Sequence, residues 1–234
     1  MRNNVYEYVG RLLEEVELTQ KDNVEKVAQA MVTSIENGGI IQAFGAGHSH
    51  AGALELTHRA GGFIPSKSIK EPAGGAYESI EGVGTSFMKK VDVRKEDIVF
   101  VISNSGRNPL PIEIALGAKS KGAKVVAVTA LEASKNLKSK HSSGKNLYEI
   151  ADLVLDNRIP EGDACLLVKG MAQKVCGMST ITTSVLLQAC TYRAVEIFVE
   201  KGKIPPIYMS QNVEGGREFN EKIEKDYIER LYRI

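Results

Sequence analysis

The sequence predicts an α/β fold, a parallel sheet covered by helices on both faces, with helical extensions at its two ends. Three observations predict it. Short runs of β-branched and other apolar residues recur without polar alternation, as strands buried on both faces require. Segments with apolar residues at three- and four-residue steps separate those runs. Two of the runs end in Gly- or Ser-rich turns that open directly into helices.

The elements follow in order. Val5, Val9, Leu12, Leu13 and Val16, then Val24, Val27, Ala28, Met31 and Ile35, mark one long helix over residues 4–36. Asn37-Gly38-Gly39 stops it, because glycine takes the left-handed conformation that closes a helix C-terminus. Its two apolar sides suit docking on the domain or on a partner subunit. Residues 40–44 form a short strand ending at Gly45, and a helix from about Ala51 to Arg59 follows. Residues 63–69 are a weaker strand candidate. Residues 97–102 are a strand running into Ser103-Asn104-Ser105-Gly106, with a helix from about Leu110 to Lys121. Residues 124–129 and 151–155 complete the strands. Residues 163–201 read as a long apolar helical region, followed by Pro205-Pro206 and a charged helical tail from Arg217. Cys165, Cys176 and Cys190 would lie within about 40° of one another on a continuous helix, as small apolar members of one buried stripe.

Composition narrows the function. With 30 Lys+Arg against 29 Asp+Glu the formal charge is +1, so no basic field points to nucleic acid. Hydrophobic residues at 43% and charged residues at 25% exclude wholesale disorder. No run approaches the roughly 18 apolar residues of a membrane span, and the start lacks a signal peptide's apolar core. A cytoplasmic protein with no membrane partner is therefore expected. Three cysteines without a CxxC spacing give neither a disulfide framework nor a zinc site. No composition break or repeat divides the chain, which predicts one domain over residues 1–234, with its core at about 24–191 and a helical tail at 205–234.

Two strand-to-helix loops carry the chemistry. In Gly45-Ala46-Gly47-His48-Ser49-His50, glycines allow a tight turn and let an anion approach backbone amides at a helix start, where Ser49 can add a hydroxyl. The third glycine of a dinucleotide fingerprint is missing, because His50 stands there. In Ser103-Asn104-Ser105-Gly106-Arg107-Asn108-Pro109, the side chains of Ser103, Ser105 and Asn108 and the exposed amides can wrap a phosphate at a helix dipole. Gly106 removes a Cβ from the anion's approach, and Pro109 suits the first helical turn. A plain helix cap is the alternative reading of this turn. Both loops leave carboxyl ends of strands, where open α/β sheets bind ligands.

The Gly-x-Gly-x-Ser loop and the later Ser-x-Ser-Gly-x-x-Pro resemble the sugar isomerase (SIS) domain family of phosphosugar-binding proteins, over roughly Val24 to Thr191. The resemblance implies a three-layer α/β/α fold with a five-stranded parallel sheet, a homodimer or higher homo-oligomer, and a phosphate held by Ser103, Ser105 and Asn108. Glu55-Leu56-Thr57 followed by Arg59 is similar to the phosphoheptose isomerase helix, although Ala51 stands where that enzyme has a metal-ligand histidine. No metal or other cofactor is expected, with His48 and His50 the residues that could substitute. Gly74-Gly75-Ala76, Glu81-Gly82 and Ser105-Gly106-Arg107-Asn108-Pro109 resemble N-acetylmuramic acid 6-phosphate etherase. The C-terminal Ser210 to Gly216 stretch resembles uncharacterised bacterial SIS proteins labelled phosphoheptose isomerases.

Aldose–ketose isomerisation needs a base near the carbonyl and an acid for its oxygens, work that carboxylates and imidazoles do when their environment tunes them. Glu55, Glu81 and His50 are the acid/base candidates, and Gly47, Ser49, Ser103, Ser105, Gly106 and Asn108 the phosphate ligands. Each candidate also has a plain reading: Glu55 in an ion pair with Arg59 at i+4, Glu81 as a solvated loop charge, and His141-Ser142-Ser143-Gly144 as a surface turn. The expected function is binding of a sugar phosphate with aldose–ketose isomerisation. The alternatives are an etherase-like lyase and a non-catalytic sensor.

Overall fold

The computed structural model describes residues 4–233; residues 1–3 and 234, the ends of the single-domain reading, lie outside them. Five strands pair in parallel: β1 (Ile41–Gly45), β2 (Ser66–Ser68), β3 (Ile98–Ile102), β4 (Lys124–Thr129) and β5 (Leu153–Asp156), in the order β2-β1-β3-β4-β5. Register is set from the centre outward, with Gly45 opposite Ile102 on β1 and β3, and Ile98 opposite Lys124 on β3 and β4. Every residue of β1 and β3 is buried, as unalternating apolar strands demand.

The helices are α1 (Asn4–Glu36), α2 (His50–Glu55), α3 (Val83–Met88), α4 (Pro109–Ser120), α5 (Leu131–Lys135), α6 (Leu147–Ile150), α7 (Ser179–Glu200), α8 (Gly216–Glu224) and α9 (Ile228–Leu231). Successive strand side chains point to opposite faces, and this splits the core in two. Ile98, Phe100, Ile102, Val126 and Val128 meet α1 and α7 through Val27, Met31, Leu186 and Leu187. Val99, Val101, Val125 and Ala127 meet α3, α4 and α6 through Met88, Ile112, Ile114 and Leu147. Full burial of side chains of this size contributes about 1.5–3 kcal/mol each before entropy is counted. The three-layer α/β/α architecture and five-stranded parallel sheet are thus present.

At the end of α1, Gly38 sits at φ +78 while the Gly39 N–H donates to the Ser34 carbonyl at 2.8 Å, a Schellman closure. The helix lies along α7, and its buried Gln20 accepts the Asp156 N–H at 3.0 Å, tying it to β5.

Three expectations are corrected. The helix after β1 stops at Glu55 rather than Arg59, and His58 then turns at φ +51. The weak strand candidate over 63–69 shortens to Ser66–Ser68. The long helical region begins only at Ser179: residues before it form an antiparallel hairpin, β6 (Ala164–Leu167) with β7 (Lys174–Gly177). The apolar run Ala164 to Val168, the Lys169-Gly170 turn and the return through Val175 and Cys176 are the hairpin signal that the helical reading concealed. Asp163 fixes the boundary, because its carboxylate accepts the N–H groups of Met178 (3.1 Å) and Ser179 (2.9 Å) and the Ser179 hydroxyl (2.9 Å), capping α7 from a distance. The cysteines consequently share no helical stripe. Cys165 is buried on β6, Cys176 is exposed on β7, and Cys190 is buried in α7, where desolvation pushes its thiol up to about 12.

The strand order reverses between β1 and β3, so the loops leaving these neighbours depart to opposite faces and open a crevice between them. Among the described residues, no helix is long and apolar enough to cross a membrane.

Candidate functional site

The loop after β1 is a hard turn. A Cβ on Gly45 would lie 2.2 Å from the Ser49 carbonyl oxygen, so the chain folds back where no side chain fits. One 3-10 turn, Gly47–Ser49, precedes the short α2. Gly47 sits at φ +53 with its N–H aimed at the Gly74 carbonyl at 3.4 Å; Gly47 and His48 are exposed, Ser49 and His50 half-buried.

The loop after β3 is anchored differently. Ser103 is buried, and its Oγ accepts the Gly106 N–H at 3.3 Å. The Asn104 carbonyl accepts the Ala130 N–H and the Thr129 hydroxyl, both at 3.0 Å. Gly106 has φ +61, and a Cβ there would meet Ser134 Oγ at 3.0 Å and Thr129 Oγ1 at 3.1 Å. Packing against β4 and α5 therefore calls for glycine here as well. Asn108 has the extended backbone of an N-cap (φ −79, ψ 147) but makes no side-chain cap bond, and Pro109 opens the 12-residue α4. Two buried polar atoms in this loop, Arg107 Nε and Asn108 Oδ1, have no hydrogen-bond partner among the described residues. Desolvating a guanidinium nitrogen and an amide oxygen without partners is costly, and a water or a ligand relieves that cost.

The loops meet in a narrow cleft of about 10 Å³, where His48 and Ser49 face Asn104, Asn157, Thr180 and Thr183. Roomier clefts, of about 620 Å³ beside β2 and α3 and about 870 Å³ between α1 and α7, are lined by no residue of either loop.

Two further segments cover these turns. Residues 71–82 coil on the Glu71 carboxylate, which accepts the N–H groups of Ala73 (2.9 Å) and Gly75 (3.0 Å). They lie against Ala46 and Gly47 on one side, and on the other the Glu78 carbonyl takes the Leu110 N–H at 3.1 Å. Residues 139–146 attach to the second loop, with the Lys140 N–H on the Arg107 carbonyl at 2.9 Å. Glu81 joins the two covers by accepting the Ser142 N–H at 2.9 Å and the Ser142 hydroxyl. These bonds, the hydroxyl's first, hold the Glu81 carboxyl below the usual carboxylate range.

Beneath Glu81 stands a residue the sequence reading passed over. Glu113, in the second turn of α4, is 2% exposed, and its carboxylate accepts the Gly82 N–H at 2.5 Å and the Thr85 N–H at 3.0 Å. It caps α3, whose N-cap Gly82 has no side chain to do so. His141 completes the cluster: its Nε2 lies 3.5 Å from Glu81 Oε1 and 3.8 Å from Glu113 Oε1, and its side chain is 10% exposed. The sequence signal for Glu113 is a lone carboxylate inside the apolar run Leu110 to Leu116, and that for Arg107 a lone cation within the Ser- and Asn-rich turn. Among the described residues, Glu81, Glu113 and His141 are the group whose ligand atoms, all within 4.8 Å of one another, could hold a metal ion.

Of the other acid/base candidates, Glu55 is held by Arg59 and by Gln188 of α7 (Nε2 to Oε2, 2.9 Å), so the ion pair at i+4 is present. His50 begins α2, its N–H directed at the Gly47 and His48 carbonyls. The structure thus gathers Ser49 with the second loop's Asn104, and Glu81 with His141, while Glu55 faces α7.

A model of the SIS domain matches residues 5–130. A UPF0309 protein of Listeria monocytogenes is 50% identical over 229 residues, covering 98% of either chain. A UPF0309 protein of Geobacillus thermodenitrificans is 40% identical over 240 residues, covering 99% of this chain and 96% of its own. Among solved structures, a phosphoheptose isomerase from Francisella tularensis superposes with a TM-score of 0.60 at 17% identity, over 83% of this chain and 96% of that one. The Vibrio vulnificus NanR protein complexed with ManNAc-6P gives 0.55 at 11% identity, over 99% of this chain and 72% of that one. At these identities the solved structures share the fold.

Proposed function

We propose, because this chain belongs to the SIS domain family, that it binds a sugar phosphate at the β1/β3 crevice and isomerises it between aldose and ketose. The observation that carries the binding is the pair of buried, partnerless polar atoms in the loop after β3. Arg107 supplies a cation for a phosphate dianion at the start of α4, where helix amides and dipole add to it. Asn108 meets a sugar hydroxyl with its amide. Ser105 and Gly106 contribute from the same turn, Ser103 braces it from below, and Gly47 and Ser49 approach from the first loop. The cleft between the loops has room for about one water, so the sugar lies over its mouth, beneath residues 71–82 and 139–146. Glu81 is the acid/base candidate in that position; Glu55 and His50 are candidates on the α2 side. A phosphosugar is what the names of the isomerase and NanR neighbours have in common, and that agrees with this choice of ligand. The protein would work as a homo-oligomer in the cytoplasm.

A thermal-shift screen of hexose, heptose and amino-sugar phosphates tests the reading. A ligand at 100 times its Kd stabilises the chain by about 2.7 kcal/mol, a shift plainly visible in Tm. Combining Ser103→Ala with Ser105→Ala should weaken that ligand without unfolding the protein, and NMR of the best binder on prolonged incubation then separates isomerase from sensor. Unchanged affinity in the double variant would remove the site.

A further inference from the structure

Resting on the isomerase reading, we infer that His141 is the proton donor of this site, with Glu81 as its base and the buried Glu113 as the residue that positions them. The inference starts from an incomplete hydrogen-bond count. Nδ1 of His141 faces Ser143, with the hydroxyl at 2.8 Å and the backbone N–H at 3.1 Å. An N–H pointed at Nδ1 makes that nitrogen the acceptor, so the ring's hydrogen sits on Nε2. The His141 side chain is 10% exposed, yet the carboxylate oxygens facing Nε2 stand at 3.5 and 3.8 Å, too far for good hydrogen bonds. A donor held in that way, between two acceptors and bonded to neither, is set for an oxygen that arrives from outside.

The position suits a sugar phosphate. Glu113 lies four residues into α4, about 6 Å along the axis from Pro109, and helical side chains lean back toward the N-terminus. The cluster therefore stands a few bonds from the phosphate at Arg107, and the Lys140–Arg107 backbone bond fixes the spacing. Glu81, with its side chain 42% exposed, remains reachable from the same side, while Glu113 is sealed beneath it at 2%.

The reaction balances without a co-reactant. Glu81 takes the hydrogen from the carbon beside the carbonyl as a proton. The C–H pair becomes the carbon–carbon double bond of the enediol, and the carbonyl π pair moves onto oxygen, which takes the Nε2 proton. Glu81 returns its proton to the other carbon, and Nε2 recovers its own from the other oxygen. One carbon is oxidised and its neighbour reduced by the same electron pair.

The test uses the full chain with fructose 6-phosphate, glucosamine 6-phosphate and sedoheptulose 7-phosphate in D2O, reading deuterium exchange at carbons 1 and 2 by proton NMR and binding by thermal shift on the same samples. The wild type should exchange the sugar that shifts its Tm. His141→Gln should lower the exchange rate about 100-fold or more, the scale of general acid–base catalysis, with the thermal shift retained. Glu81→Gln, at an exposed position, should do the same and serves if the histidine variant folds poorly. Glu113→Gln should lower kcat with KM little changed. Exchange at the wild-type rate in His141→Gln overturns the assignment while leaving the binding site standing, and so does a wild-type thermal shift without any exchange. No shift from any of the three sugars counts against the phosphosugar reading itself.

Discussion

The loops after β1 and β3 leave adjacent strands at the same sheet edge, yet they are built to different ends. The first spends its backbone on turning: Gly45 packs against the Ser49 carbonyl, Gly47 points its amide at Gly74, and the helix that follows is six residues long. The second anchors its turn from below through Ser103 and the Asn104 carbonyl, opens a 12-residue helix, and leaves a guanidinium nitrogen and an amide oxygen buried without partners among the described residues. Under the proposed binding role, the difference teaches which loop should carry the affinity. A loop that spends its backbone on turning can shape a site, whereas one that carries desolvated, unsatisfied groups gains more when a ligand supplies their partners.

The largest effect should fall on the turning loop and should be structural. Gly45→Ala puts a Cβ 2.2 Å from a backbone oxygen that cannot step aside, and should destabilise the chain by more than about 4 kcal/mol, in the range reserved for such clashes. Gly47→Ala meets open space at φ +53 and should cost only about 1–2 kcal/mol of left-handed strain. Urea denaturation of the two variants measures the contrast; equal losses would mean that the turn is not what Gly45 serves.

The next effect should fall on the second loop and should be functional. Arg107→Leu removes a charge-assisted contact worth about 1.5–3 kcal/mol, which is roughly a 10- to 150-fold loss of phosphosugar affinity. Because the unliganded chain holds Arg107 Nε desolvated and unpaired, the same change should leave unliganded stability intact or raise it, the trade seen where a site stores unsatisfied groups. Ser49→Ala in the first loop should weaken affinity by about 10-fold or less. Calorimetric titration of both variants ranks the loops, and a larger loss at Ser49 would reverse the comparison.

The sequence made the sheet and both loops legible because buried parallel strands advertise themselves as unbroken β-branched runs, and Gly- and Ser-rich turns after them are short and local. It misled where a single periodicity hid a change of state. The apolar residues of 164–177 suggest a backward extension of α7, yet the chain turns at Gly170 and Cys176, both at positive φ, and the remote cap from Asp163 marks the helix start at Ser179. The proposed site divides in the same way between what local pattern shows and what it does not. Ser103, Ser105 and Asn108 lie within six residues of one another. Glu81, Glu113 and His141 meet across 32 and 28 positions of chain, through a helix, a coil and a cover that no local pattern links.

The smallest effect concerns Glu81, where the cover of the first loop is joined to that of the second. Its carboxyl titrates below the ordinary value of 4.5 because Ser142 donates two hydrogen bonds to the charged form, the hydroxyl's contribution ahead of the backbone's. Ser142→Ala removes the first and keeps the second, so the Glu81 midpoint, read by carboxyl carbon-13 NMR, should rise toward 4.5 without reaching it. The linked stability follows from the direction of the shift. A depressed native pKa means that protons bind the unfolded chain more readily, so the Ser142 hydroxyl contributes fully above the unfolded value and ceases to contribute as pH falls through the native one. Wild type and variant should differ most near neutrality and converge in acid. If their urea midpoints instead stay equally far apart from pH 7 down to pH 3, the hydroxyl acts on the 139–146 turn itself, and the two covers are joined by something other than the Glu81 charge.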